Sequence, residues 1–321
     1  MFGFIIDKPD LLMTAGVFFA FIFTAVFTKV FMNKLPRDGG RKFAFNGNLS
    51  EGKPRGAGII FVTVFSVCVI LFSKLTVENV GYVLMIMLMM FTGFLDDSAT
   101  NSWGEYKKGL LDFFISLGVA FIYLRNNPPV IELYLVGQTL KIPVIVFAIL
   151  IVILMWGAVN VTNCSDGVDG LSGSLTIVSL LSFHILACVW KKDADFFGIP
   201  LMMCAAILAY LWYNATPSIL MMGDAGSRAM GLLIGISALK SGDPFMFIPL
   251  ALILILDGGL GLIKITLIRF FKIHIMKNTR TPLHDHYRKT KNWSNTQTVF
   301  RFVILQILVS FIFIAAYCME V

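Results

Sequence analysis

Four amide or carboxylate side chains recur at three-residue intervals in Asn160-Val-Thr-Asn163-Cys-Ser-Asp166-Gly-Val-Asp169-Gly-Leu171. Three further clusters accompany them: Gly93-Phe-Leu-Asp96-Asp97, Met222-Gly223-Asp224-Ala-Gly-Ser227 and Pro282-Leu-His284-Asp-His286-Tyr287. Carboxylates, amides and histidines, with Lys107 and Lys108 nearby, are groups that hold a Mg²⁺-bound diphosphate. They are the wrong inventory for acyl or hydride transfer, and the chain has no P-loop, no Gly-x-Ser-x-Gly elbow and no zinc-type spacing.

Each cluster also has a plainer reading. Asp96-Asp97 could be a solvated helix end and Asp224 a simple N-cap. The cations around His284 could face lipid head groups. The patch at Asn160–Leu171 is harder to dismiss, because a structural turn does not require two Asn and two Asp.

Local geometry sharpens the functional readings. Adjacent helical residues diverge by about 100°, so Asp96 and Asp97 need not share a ligand. Carboxylates are disfavoured at a helix C-terminus, which calls for a divalent metal or Lys107/Lys108 beside them. A spacing of three would put Asp166 and Asp169 on one helix face, with Gly167, Gly170 and Gly173 permitting close helix approach. A Gly-flanked Asp224 opening a helix could hold Mg²⁺ while backbone N–H groups meet phosphate. His284 and His286 lie among Arg280, Arg288, Lys289 and Lys291, which favours anion over metal binding.

The elements that must position these residues are membrane spans. The chain is 57% hydrophobic and 14% charged with a mean hydropathy of +0.82, which excludes an ordinary soluble domain. At ~20 residues per span, 321 residues make roughly ten helices. Apolar runs fall at 11–33, 57–73, 80–95, 110–124, 142–158, 171–190, 198–213, 229–239, 245–268 and 298–318. The expectation is an all-α polytopic membrane protein, residues 1–321 forming one integral-membrane domain. Loops 34–56, 96–109, 159–170, 214–228 and 264–297 carry 17 Lys and Arg, against 7 in the opposite set. By the positive-inside rule both termini face out, and all four clusters lie at the cytoplasmic face. The +7 net charge is thus a matter of topology rather than of nucleic-acid binding.

Asp257, Gly258, Gly259 and Gly261 interrupt the ninth run, which predicts a bent span or a close-packing surface. The five Cys show no paired spacing and read as free thiols. The first apolar run is too long for a signal peptide and reads as a retained span.

Taken together, the clusters resemble those of the polyprenyl-phosphate N-acetylhexosamine-1-phosphate transferases. Among these the chain is most similar to the phospho-N-acetylmuramoyl-pentapeptide transferases. The matching pieces are Gly93–Asp97, Lys108-Gly-Leu110, Asn160–Leu171, Asn214 with Met222–Ser227, and Pro282–Tyr287. The resemblance implies transfer of phospho-MurNAc-pentapeptide from UDP-MurNAc-pentapeptide to undecaprenyl phosphate in the bacterial cytoplasmic membrane. The products would be lipid I, for peptidoglycan synthesis, and UMP. It implies Mg²⁺ held by Asp224, with Asp96 and Asp97 by the acceptor phosphate and Asp96 a candidate base. Asn160, Asn163, Asp166 and Asp169 would line the nucleoside and diphosphate site. Lys108, Asn214, Gly223, Ser227, His284 and His286 would complete the substrate contacts. Family members dimerise, an expectation these residues do not themselves carry.

The chain departs from the family pattern at several positions. The usual Thr-Pro-Thr-Met-Gly-Gly reads Lys53-Pro-Arg-Gly-Ala-Gly58, and Met221 stands where an aromatic residue is usual. Thr100 replaces a Lys, Asp285 the middle of three His, and Lys264 a Gln. Arg55 and Lys264 are the candidates to supply the missing cation. The alternatives are a related transferase using another UDP-sugar, and a transporter. The latter calls for midplane charges and a second, outward-facing site, and the sequence offers neither.

Overall fold

The computed structural model describes residues 9–40, 50–192 and 194–319. Among them, helical structure stands on each of the ten apolar runs. Helices α1 (Pro9–Phe31), α2 (Gly58–Phe72), α3 (Val77–Asp97) and α4 (Glu105–Asn126) come first. A short antiparallel hairpin follows, β1 (Val130–Leu133) with β2 (Gln138–Lys141), turning at Gly137. Then come α5 (Val144–Cys164), α6 (Leu171–Val189), α7 (Ala194–Asn214) and α8 (Gly223–Lys240). The ninth segment is broken into α9 (Phe247–Leu250), α10 (Leu252–Leu254), a π-helical turn at Ile255–Gly259, and α11 (Leu260–Thr266). A short α12 (Leu283–Thr290) and the long α13 (Asn295–Met319) complete the chain.

Six helices are long and apolar enough to cross a membrane on their own, and the bent ninth segment would be a seventh. The chain is therefore an all-α polytopic membrane protein. Helix α8 is not apolar enough to count among those spans, because it carries Asp224, Arg228 and Lys240, and it lies at the centre of the bundle rather than against lipid. Every residue from Gly223 to Leu239 is buried, against α2, α3 and α5. Its small residues allow backbones to approach, which in a bilayer replaces the hydrophobic drive between helices. The outer helices do the opposite. Phe18, Phe23 and Phe27 on α1 and Phe300 and Phe311 on α13 are exposed, as lipid-facing side chains should be.

Two glycines set how closely α2 and α3 approach the first turn of α8. A Cβ on Gly58 would run into the backbone of Gly226, and one on Gly93 would lie 2.5 Å from the Asp224 carbonyl. Gly93→Ala should therefore displace Asp224 or loosen the bundle, at a cost of about 1–3 kcal/mol. A lowered melting temperature in detergent checks this, and an unchanged one would contradict the packing.

The ninth segment is both bent and close-packed, but the bend falls at Ala251, ahead of the glycines that predicted it. It bends by 73° between Pro244–Leu250 and Leu252–Phe271. The break frees backbone groups inside the bundle, and buried Gln306 of α13 satisfies them. Its Oε1 accepts from Ile253 N at 2.8 Å and its Nε2 donates to Pro249 O at 3.0 Å. Beyond the bend, Gly258 packs against Val161 and Cys164 of α5.

Candidate active site

Helices α3 and α8 run antiparallel, so the C-terminus of α3 meets the N-terminus of α8. Asp96 and Asp97 diverge there as helical geometry requires. Asp96 turns to α4: Oδ2 lies 2.5 Å from Lys108 Nζ, and Oδ1 accepts from Trp103 N at 2.6 Å. Asp97 turns to α8, where Oδ1 and Oδ2 accept from Asp224 N and Ala225 N, each at 3.1 Å. A carboxylate from one helix thus caps another, satisfying N–H groups at its positive end. Gly223 has φ +68°, and a Cβ there would collide with the Asp97 carboxylate. This corrects the expectation that the first N–H groups of α8 present themselves to phosphate: Asp97 occupies those of Asp224 and Ala225.

Asp224 is the hub. Lys108 Nζ lies 2.9 Å from Oδ2, and Arg55 Nη2 3.6 Å from Oδ1. Arg55 also pairs with Asp97 at 2.9 Å and with Asp38 at 3.3 Å. Burial opposes the Arg55 charge, but the field of Asp97, Asp224, Asp38 and Asp96 outweighs it and holds the guanidinium above its ordinary range. Of the two cations proposed from sequence, Arg55 joins the cluster. Lys264 does not: its Nζ donates to the carbonyls of Met276 and Thr279 and ties down the loop before α12. Lys107 lies over the Trp103 ring, 3.4 Å from its centroid, and leaves Lys108 as the paired lysine.

The Asn160–Leu171 patch is not one helix. Asn160 and Asn163 end α5, whereas Asp166 and Asp169 sit in the turn between α5 and α6. Gly170, with φ +84°, makes that turn possible, so the predicted shared helix face does not form. The patch is joined to the site through its neighbours. Asn163 Oδ1 accepts from Ser227 Oγ of α8 at 2.7 Å. Asp169 Oδ2 accepts from Ser218 N at 3.4 Å. Asn214 latches the turn, accepting from Gly170 N and donating to Leu220 O, each at 2.8 Å. Asn160 instead bonds Trp156 O of its own helix, and among the described residues it makes no bond or ion pair to the carboxylate cluster.

His284 and His286 also separate, because residues two apart on a helix do not face each other. His284 is buried, with its ring against Gly167. Asp257 accepts from His284 N and faces its Nδ1, both at 2.8 Å. His286 Nδ1 accepts from Arg280 N at 3.2 Å and has no described contact with the cluster. Asp257 was not among the predicted site residues. Its signal was a carboxylate inside an apolar run, which is rarely left without a task. Asp257→Asn should misplace His284 and lower turnover by up to about 10²-fold. Full activity with an unchanged pH profile would show that the pair only packs.

Sequence reasoning also missed Asp112 of α4 and Arg228 of α8. They form a buried ion pair one turn beyond Lys108 and Asp224. Arg55, Asp96, Asp97, Lys108, Asn163, Asp224 and Ser227 thus lie together at one end of the bundle, while an independent polar set, Glu78 with Lys240, lies at the other.

Residues 79–242 match the model of glycosyl transferase family 4. A phospho-N-acetylmuramoyl-pentapeptide-transferase of Treponema pallidum (strain Nichols) is 37% identical, over 94% of this chain and 88% of the relative. Proteins of the same name from Brachyspira hyodysenteriae (28%, covering 98% of this chain and 95% of the relative) and from the Wolbachia of Drosophila simulans (26%, 91% and 94%) are also similar. With its acidic hub at the meeting point of α3, α4 and α8, and relatives matched along nearly its whole length, the chain belongs to the phospho-N-acetylmuramoyl-pentapeptide-transferase family.

Proposed function

We propose that the protein transfers phospho-MurNAc-pentapeptide from UDP-MurNAc-pentapeptide to undecaprenyl phosphate, releasing UMP and forming lipid I. The observation that carries the chemistry is the cluster of Asp38, Asp96, Asp97 and Asp224 around Arg55 and Lys108. Four carboxylates against two cations leave a formal charge of −2, which a divalent cation balances. Among the described residues no group of three His, Cys, Asp or Glu forms a ready-made metal cage. That suits Mg²⁺, which is typically bound by one or two carboxylates together with substrate phosphates. Asp224, its side chain 11% exposed, is the residue we assign to hold it. When bound, Mg²⁺ supplies charge neutralisation to the diphosphate.

The chain's own residues do the rest. Lys108 and Arg55 offer donors to phosphate oxygens on either side of Asp224. Asn163, Asp166, Asp169, Ser227 and His284 line the adjoining wall for the donor, and Asn214 and Gly223 hold that wall in shape. A phosphate monoester has its second pKa near ~6, so the acceptor is already mostly ionised at neutral pH. Asp96 therefore has little proton to remove, and positioning with charge neutralisation supplies most of the rate. We favour direct attack by the acceptor phosphate over an aspartyl intermediate. The site faces the cytoplasm in this reading, and the chain spans the bacterial cytoplasmic membrane about ten times as one domain.

The test uses purified protein, Mg²⁺, undecaprenyl phosphate and individual UDP-sugars, with UMP release as the readout. Release with UDP-MurNAc-pentapeptide supports the assignment. Release only with UDP-GlcNAc would replace it by a transferase for another envelope glycan. A phospho-enzyme trapped at Asp96 or Asp224 would overturn the one-step route.

A further inference from the structure

We propose that Arg55 acts on the transferring phosphoryl group as an arginine finger supplied from within the same chain. This rests on the transferase reading given above. Arg55 is delivered by a strap between α1 and α2. Pro54 bridges to Arg37, Asp38 N donates to Lys53 O at 2.9 Å, and Arg55 N donates to Pro36 O at 2.8 Å. The same strap pairs with the segment that leads into Asp224. Met221 N donates to Pro54 O at 2.8 Å, and Ala57 N donates to Met221 O at 3.0 Å. Strap and hub therefore form one hydrogen-bonded unit.

The guanidinium is anchored from two sides. Its Nε lies 2.9 Å from Asp97, and its Nη1 is held at 3.3 Å by Asp38. Asp38 is itself buried and fixed by Ser50 Oγ at 2.6 Å and Gly40 N at 3.2 Å. The remaining nitrogen, Nη2, faces Asp224 at 3.6 Å, beyond hydrogen-bond reach, and the side chain keeps 22% of its surface open. A guanidinium wanted only to neutralise Asp97 would not need a second buried carboxylate to orient it. Asp38 and Asp97 leave the Nη2 edge pre-oriented toward the hub, opposite Lys108 on the other oxygen of Asp224. Fixed donors aimed where charge spreads in the transition state are worth most in a dry site.

In the step itself, an oxygen of the acceptor phosphate forms a bond to the phosphorus that carries the sugar. The bond from that phosphorus to the oxygen bridging the nucleoside phosphate breaks, and its electron pair leaves on UMP. No proton need move. Arg55 Nη2 would donate to a non-bridging oxygen of the phosphoryl group in flight, and Asp38 is its positioning residue.

The experiment compares R55A, R55K and D38N with the full-length wild type in detergent, varying both substrates and adding guanidinium chloride well below denaturing levels. R55A should lose about 10²–10³-fold in kcat with donor KM little changed. Guanidinium should restore part of the R55A turnover. R55K should recover only a fraction, because an ammonium cannot reach three carboxylates as a planar fork does. D38N should lose kcat in the same KM-against-kcat pattern, although Asp38 touches no substrate. An R55A enzyme with wild-type kcat, or an R55K enzyme with full kcat, would overturn the proposal while the transferase reading stands. If R55A fails to fold, R55K and D38N decide alone, and wild-type kcat in either overturns it. A wild type that releases no UMP from any UDP-sugar would sink the parent reading and this one with it.

Discussion

Replacing Asp224 by Asn is expected to reduce UMP release by at least about 10³-fold while leaving the protein folded. Asn keeps the size of the side chain and one oxygen, so the packing around the first turn of α8 is undisturbed. What it loses is the charge shared between Lys108 and Arg55. The formal charge of the cluster falls from −2 to −1, and the carboxylate assigned to Mg²⁺ is gone. Turnover of the variant should also cease to respond to Mg²⁺ across a titration that saturates the wild type. Near-normal activity would refute the metal assignment. Asp97→Asn makes a useful contrast. Because Asp97 accepts two backbone N–H groups of α8, its replacement should lower thermal stability as well as rate.

The second large effect concerns stability. Asp112 and Arg228 are both buried, and Arg228 Nη1 has no hydrogen-bond partner among the described residues. Asp112→Ala would strand a guanidinium inside the bundle, a change that typically costs about 3–5 kcal/mol. Removing both charges is a different matter, because a well-packed apolar pair is often neutral or stabilising in such a place. The expected result is a steep loss of melting temperature in Asp112→Ala and recovery in the Asp112→Leu, Arg228→Leu double variant. Equal losses in the single and double variants would show that packing, not the stranded charge, sets the cost.

Much of the fold was legible because a bilayer allows so few solutions. Long apolar runs become helices, but the glycines of the ninth run mark a π-helical turn and the close contact with α5, whereas the bend itself falls earlier, at Ala251. The hairpin Val130–Leu133 with Gln138–Lys141 was not foreseen, since its strands are only four residues each. Periodicity misled at Asp166 and Asp169. A three-residue spacing fits a helix, but α5 ends at Cys164, and Gly170 at φ +84° opens α6 from a turn that Asn214 holds. The site was legible as a list of clusters, because acidic residues next to apolar runs stand out. Partner choice was not. Asp38, Asp112 and Arg228 look like ordinary loop or helix charges until tertiary contact pairs them, and Asp97 gives no hint in sequence that it caps a helix 127 residues away.

The two rungs between α4 and α8 carry one more consequence. Lys108 faces Asp224, and one turn on Asp112 faces Arg228, so each helix shows the two signs in opposite order. A slip of one turn between these helices would set Asp112 level with Asp224, or Lys108 level with Arg228, like against like. Lipid offers no hydrophobic preference among neighbouring helices. During assembly the rungs therefore work as a two-character code: α4 packs on α3 and α5, and the code sets the height at which it stops relative to α8. The residues proposed to transfer a phosphoryl group would then be spelling out part of the fold as well.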